Sequence, residues 1–132
     1  MDLEIIKIAE KSVNNRPIEN HTHFSKQKNH LCGDEMRISL IIKNGKIINF
    51  GYEGKSCIYC QASASLLSEV SINQKKLKID ELCNNANLFF KDDKDLVGKN
   101  FSKLKRLFKK ENFPRKECIL LPFKTFKKIK KI

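Results

Sequence analysis

Two β-branched and aromatic runs, MRISLIIK over Met36–Lys43 and KIINFGY over Lys46–Tyr52, are separated only by Asn44-Gly45. That dipeptide suits a type I′ turn, in which both central residues take positive φ, so an antiparallel hairpin is predicted here. Ile41-Ile42 and Ile47-Ile48 break strict alternation, which leaves the register open.

Helical patterns flank the hairpin. Residues 3–14 read as an amphipathic helix that Asp2 can cap, with Ile5, Ile6, Ala9 and Val13 on one face and Arg16-Pro17 ending it. The polar stretch 18–31, with His21, His23 and His30, reads as a loop or one short strand. Beyond the hairpin, Gly51, Gly54 and CIYC mark a turn; a helix is expected to start near Cys60 or Gln61 and bury Ala62, Leu66, Leu67 and Val70. Residues 79–90 give another helix through Ile79, Leu82, Cys83, Ala86 and Phe90, and residues 100–110 a third through Phe101, Leu104, Leu107 and Phe108. A last helix is expected from Leu121, with Pro122 in its first turn, where a missing N–H costs little. The order implies an α+β fold: a small antiparallel sheet packed against several helices.

The length of 132 residues fits one domain, spanning 1–132. No apolar run reaches the roughly 18 residues a membrane helix needs. The start, MDLEIIKIAEKSVNN, lacks the basic-then-apolar order of a signal peptide, so a cytoplasmic location is expected. In that reducing compartment the five cysteines, Cys32, Cys57, Cys60, Cys83 and Cys118, are expected as ligands, nucleophiles or core residues rather than disulfides. The net charge of +12 attracts nucleic acid, acidic protein faces or anionic membrane, but the lysines are dispersed as in a compositionally biased chain.

Cys32-Gly33-Asp34 stands just before the first strand and Cys57 just after the second. A tight hairpin brings those two ends together, so Cys32, Asp34 and Cys57 are expected to be close in space. Cys118, ahead of the last predicted helix, is a candidate fourth ligand for a tetrahedral site. Thiolates bind soft or borderline metals and carry sulfur as persulfide, and a harder Asp carboxylate makes such a site more exchangeable. Gly33 lets the chain bend so that Cys32 and Asp34 can face one ion. Cys83 lies on an apolar helical stripe and reads as core. Cys57-x-x-Cys60 without a second such pair is weak support for a zinc ribbon, and His21-x-His23 has nothing nearby to complete a site.

These residues resemble the U-type iron–sulfur assembly proteins: IscU, the N-terminal domain of NifU, and above all SufU. NHLCGDEMRISLIIKNGKI resembles the family's C-G-D segment and hairpin. FGYEGKSCIYCQASASLLSE resembles its cysteine followed by A-S-A-S, with Cys57 and Ala62-Ser63-Ala64-Ser65 in those places; NFPRKECILLPFKTF resembles its last cysteine segment, with Cys118. The long interval from Cys57 to Cys118, and Glu117 where the IscU branch has histidine, resemble the SufU branch. Cys60 departs from the family's usual Ser, Thr or Ala and could compete as a ligand or accept sulfur.

The resemblance implies zinc or iron, or a transient cluster, held by Cys32, Asp34, Cys57 and Cys118. It implies Cys32 as acceptor of sulfur from a SufS-like cysteine desulfurase, with downstream assembly or carrier proteins as further partners. The chain is then a relay or a scaffold for the cluster, not a free-standing enzyme, with neither nucleic acid nor membrane as partner. A basic, zinc-containing nucleic-acid-binding protein is the alternative from another class, and it lacks a stacking platform or recognition-helix motif. A thiol oxidoreductase using Cys57 and Cys60 lacks the usual strand–CxxC–helix flanks.

Overall fold

The computed structural model describes residues 3–30, 33–92 and 99–131. The hairpin forms as β2 (Glu35–Lys43) and β3 (Lys46–Glu53), with Asn44 at φ 53° and Gly45 at φ 76°, the two positive values a type I′ turn requires. Ile41 pairs with Asn49 and Ile42 with Ile47, so Ile48 is an extra residue, a β-bulge. The bulge resolves the broken alternation: Ile47, Phe50 and Tyr52 are buried in one core while Ile48 is 43% exposed.

Strand β1 (His23–Lys28) pairs antiparallel with β2, and β4 (Lys130–Lys131) adds to β1, giving the order β3-β2-β1-β4. Helices α1 (Leu3–Glu10), α2 (Ile58–Ser71), α3 (Lys76–Asp92) and α4 (Lys116–Lys127) complete the α+β architecture, with 3-10 turns at Lys99–Arg106 and Lys110–Arg115. Met36, Ile38 and Leu40 of β2 meet Leu67 of α2 and Phe123 and Phe126 of α4 in one buried cluster. Phe50 and Phe126 stack with centroids 6.3 Å apart.

Several element boundaries differ from expectation. The first helix ends at Glu10 rather than residue 14, burying Ile5 and Ile8 and leaving Val13 79% exposed; the predicted cap Asp2 lies outside the described residues. Asn14 is instead a clasp: its amide donates to Ser68 Oγ (2.9 Å) and its carbonyl accepts the Tyr52 N–H (3.0 Å). Helix α2 starts at Ile58, ahead of the expected Cys60, with Cys57 as its N-cap. Residues 99–106 form a 3-10 turn rather than a third α-helix, though Leu104, Leu107 and Phe108 are buried as predicted; the Phe101 side chain lies outside the described residues. The last helix starts at Lys116, so Pro122 stands inside it rather than in its first turn. Burial of Leu120, Leu121, Phe123 and Phe126 offsets the lost helix hydrogen bond.

Candidate metal centre

The start of β2 is fixed from two sides. The Asn29 N–H donates to the Asp34 carbonyl (2.8 Å), carrying the β1–β2 ladder one pair past Lys28 and Glu35. The Gly33 N–H returns to the Asn29 carbonyl (2.7 Å), with Gly33 at φ 77°, a left-handed conformation that glycine adopts without strain. Across the hairpin the Glu35 N–H donates to the Lys55 carbonyl (2.7 Å). At Gly54, φ +151°, an added Cβ would run into the Glu35 carbonyl, so the exit of β3 lies against the entry of β2 with no side chain between.

This clamp places Asp34 beside the start of α2. Asp34 Oδ2 accepts the backbone N–H of Cys57 (3.3 Å), and Cys57 caps α2 in an extended conformation. Cys118 arrives from the opposite layer in the first turn of α4, where Ser63 Oγ of α2 donates to the neighbouring Ile119 carbonyl (2.6 Å). One carboxylate oxygen of Asp34 and the sulfurs of Cys57 and Cys118 lie within 4.8 Å of one another, all three residues half-buried. Cys32, the fourth predicted ligand and the expected sulfur acceptor, lies outside the described residues.

The start of α2 and the first turn of α4 thus meet at the site, and a helix start favours negative charge placed beside it. Two sulfurs and one carboxylate oxygen fit a borderline or soft ion such as zinc or iron and leave room for a fourth donor. Cys60, one turn into α2, is fully buried and stands outside this donor group. Cys83 is fully buried on α3; burial, and after it the Asp80 charge, push its thiol far above the usual cysteine range. The histidines make local contacts: His21 Nδ1 pairs with the Ile18 carbonyl (3.0 Å) and His23 Nδ1 with the Thr22 hydroxyl (2.8 Å). The sequence marked Gly54 only as part of a turn and Ser63 only as part of the A-S-A-S run; the contacts by which they position the site depend on Glu35 and Ile119, distant in the chain.

A hairpin and two helix starts gather two sulfurs and one carboxylate oxygen on a small α+β frame, a donor set of the kind that holds a metal ion. The chain belongs to the NifU-like N terminal domain family, whose pattern matches residues 4–90. It is 34% identical over 122 residues to a Thermotoga maritima protein named iron-sulfur cluster assembly scaffold protein IscU, covering 87% of this chain and 82% of that one. It is 31% identical over 127 residues to an uncharacterised Borreliella burgdorferi protein, covering 94% of this chain and 84% of the relative. Among solved structures, FiSufU of Fervidobacterium islandicum AW-1, described as a candidate cluster assembly scaffold for the SUF system, superposes with a TM-score of 0.79 at 27% identity, covering 96% and 93% of the two chains. The N-terminal part of a NifU-like protein from Brucella abortus gives a TM-score of 0.85 at 18% identity, covering 96% and 88%, which shows the shared fold.

Proposed function

We propose that this chain works in iron–sulfur cluster assembly, in the cytoplasm, holding zinc or iron through Cys32, Asp34, Cys57 and Cys118 and accepting sulfur from a SufS-like cysteine desulfurase. The observation that carries this reading is the convergence of Asp34, Cys57 and Cys118 within 4.8 Å, from three separate elements. In the sulfur step the Cys32 thiolate attacks the outer sulfur of the donor's persulfide. One S–S bond forms on Cys32, the donor's S–S bond breaks, and the donor leaves as a thiolate, with no net oxidation. Asp34, the hardest donor of the set, keeps the centre exchangeable. The chain is an acceptor with no turnover of its own, and downstream carriers take its cargo. Among the described residues no helix is long and apolar enough to cross a membrane.

A second reading, a scaffold on which the cluster itself is built as cargo, is favoured by the names of the Thermotoga and Fervidobacterium relatives. Glu117 before Cys118 and the long interval after Cys57 favour the relay. One experiment separates them. The protein is mixed with a desulfurase and cysteine, and bound sulfur is read by mass spectrometry; a parallel sample receives iron and sulfide, and its visible absorption is followed. The relay predicts that wild type gains sulfur, that Cys32→Ser does not, and that Asp34→Ala folds but releases sulfur abnormally. Cys57→Ser is expected to lose metal and to melt at a lower temperature. A cluster chromophore without sulfur uptake from any desulfurase selects the scaffold, and the absence of both refutes the assembly reading.

A further inference from the structure

The two edges of the sheet are finished differently. At β3 the Ile47 N–H donates to the Gln74 carbonyl and the Ile47 carbonyl accepts the Asn73 N–H, both at 2.8 Å. The Phe50 N–H goes to Asn49 Oδ1 (2.9 Å) and the Tyr52 N–H to the Asn14 carbonyl (3.0 Å). That edge is closed. At the other edge, among the described residues, β4 pairs with His23 and Phe24 of β1 and no further.

The ladder fixes where the remaining amides of β1 point. Lys28 stands opposite Glu35, and the next pair, Asn29 and Asp34, is hydrogen-bonded. Alternation along an antiparallel ladder then turns the backbone N–H and C=O of Lys28 and Lys26 away from β2. Among the described residues no strand pairs with them there. A cleft of about 430 Å³ lies at this end of β1, lined by Lys28 and His30, by Glu117, Leu121 and Lys124 of α4, and by Lys128 just past it. Glu117 is already ion-paired with Lys124 at 3.4 Å, so the uncompensated charge in the cleft is positive.

We propose that this cleft takes an extended acidic segment of a partner protein, which joins the sheet as a strand beside β1. Exposed backbone groups supply affinity in this mode of recognition, and side chains supply the choice of partner. Lysines on an open edge ordinarily guard it against pairing. The same lysines admit an acidic strand while repelling a basic one, so the guard acts as a filter. His30 and Glu117 of the cleft are sequence neighbours of Cys32 and of Cys118, so a segment docked there lies near the proposed metal centre. Its use in bringing a sulfur donor or cluster acceptor rests on the assembly reading; the binding itself does not.

The test uses the full chain, an amidated peptide alternating glutamate and valine, and a lysine–valine peptide as control. Amide hydrogen exchange is followed by NMR. The glutamate peptide is expected to slow exchange at Lys26 and Lys28 by about tenfold or more and to leave β3 unchanged. Lys28→Glu combined with Lys128→Glu, both exposed, is expected to weaken binding by more than about tenfold. Lys26→Pro removes an outward N–H and the surface Lys26–Glu35 ion pair (2.7 Å) but no β1–β2 backbone hydrogen bond, and is expected to weaken binding while the fold is kept, as circular dichroism would show. Equal binding of the lysine peptide, protection elsewhere than β1, unaltered binding by the charge-reversed variant, or stronger protection of the same amides by random duplex DNA would overturn the proposal. Peptide binding without sulfur transfer or cluster formation refutes only the assembly reading, and transfer without peptide binding refutes only this one.

Discussion

The hairpin end and the α4 end of the proposed metal centre deliver their donor groups by different means. Asp34 and Cys57 are brought together by a short, closed path: a two-residue turn, a ladder, and the close approach of Gly54 to Glu35. Cys118 depends on where a whole helix packs, tied to α2 beside the site by the Ser63 hydroxyl. The first arrangement is set by local chain geometry and the second by the core. Damage to the hairpin should therefore disturb two donors at once, and damage to the α2–α4 contact only one.

The sharpest way to break this contrast is Gly54→Ala. Its Cβ meets the Glu35 backbone at a φ of +151°, so a loss of about 3 kcal/mol or more is expected in denaturant unfolding, with metal binding lost alongside. Gly45→Ala tests the turn alone. There is open space around it but φ is +76°, so about 1–2 kcal/mol is expected, with metal affinity nearly kept once the protein is folded. Ser63→Ala removes the buried hydrogen bond to Ile119 and should cost about 1 kcal/mol, with Cys118 gaining reactivity towards a thiol reagent while Cys57 does not. If Cys57 gains equally, the two delivery routes are not separate. The smallest effect concerns His23, which partial burial, then Lys76 and Lys131, hold below the usual histidine range. The folded state therefore binds fewer protons than the unfolded one as pH falls through about 6.5, so stability drops slightly there, and His23→Gln should flatten that slope in a melting series from pH 7.5 to 5.5.

The same contrast explains what could be read in advance. Asn44-Gly45 determines its own turn from local backbone preference, and the ends of the strands follow from it, so the proximity of Asp34 and Cys57 was legible. The bulge at Ile48 was visible only as disturbed alternation, because the choice of residue to eject depends on what the core accepts. Pro122 misled: taken alone it marks a helix start, yet the apolar face of α4 holds it in the middle of the helix. The clasp at Asn14 could not be foreseen, since its partners Tyr52 and Ser68 are distant in sequence. The open edge at Lys26 and Lys28 was equally hidden, because the pairing of Lys130–Lys131 with β1 left no pattern in so short a segment.

The bulge at Ile48 also sets how this stretch of gene can change length. Ile48 is the residue of β3 without a counterpart on β2, so losing its codon would turn the strand into a regular one and leave Phe50, Tyr52 and Gly54 on their present faces. Losing a codon between Phe50 and Gly54 would instead carry the glycine away from Glu35 and shift the chain leading to Cys57 by one step. Loss of Ile48 should therefore be tolerated, and loss of a residue between Phe50 and Gly54 selected against.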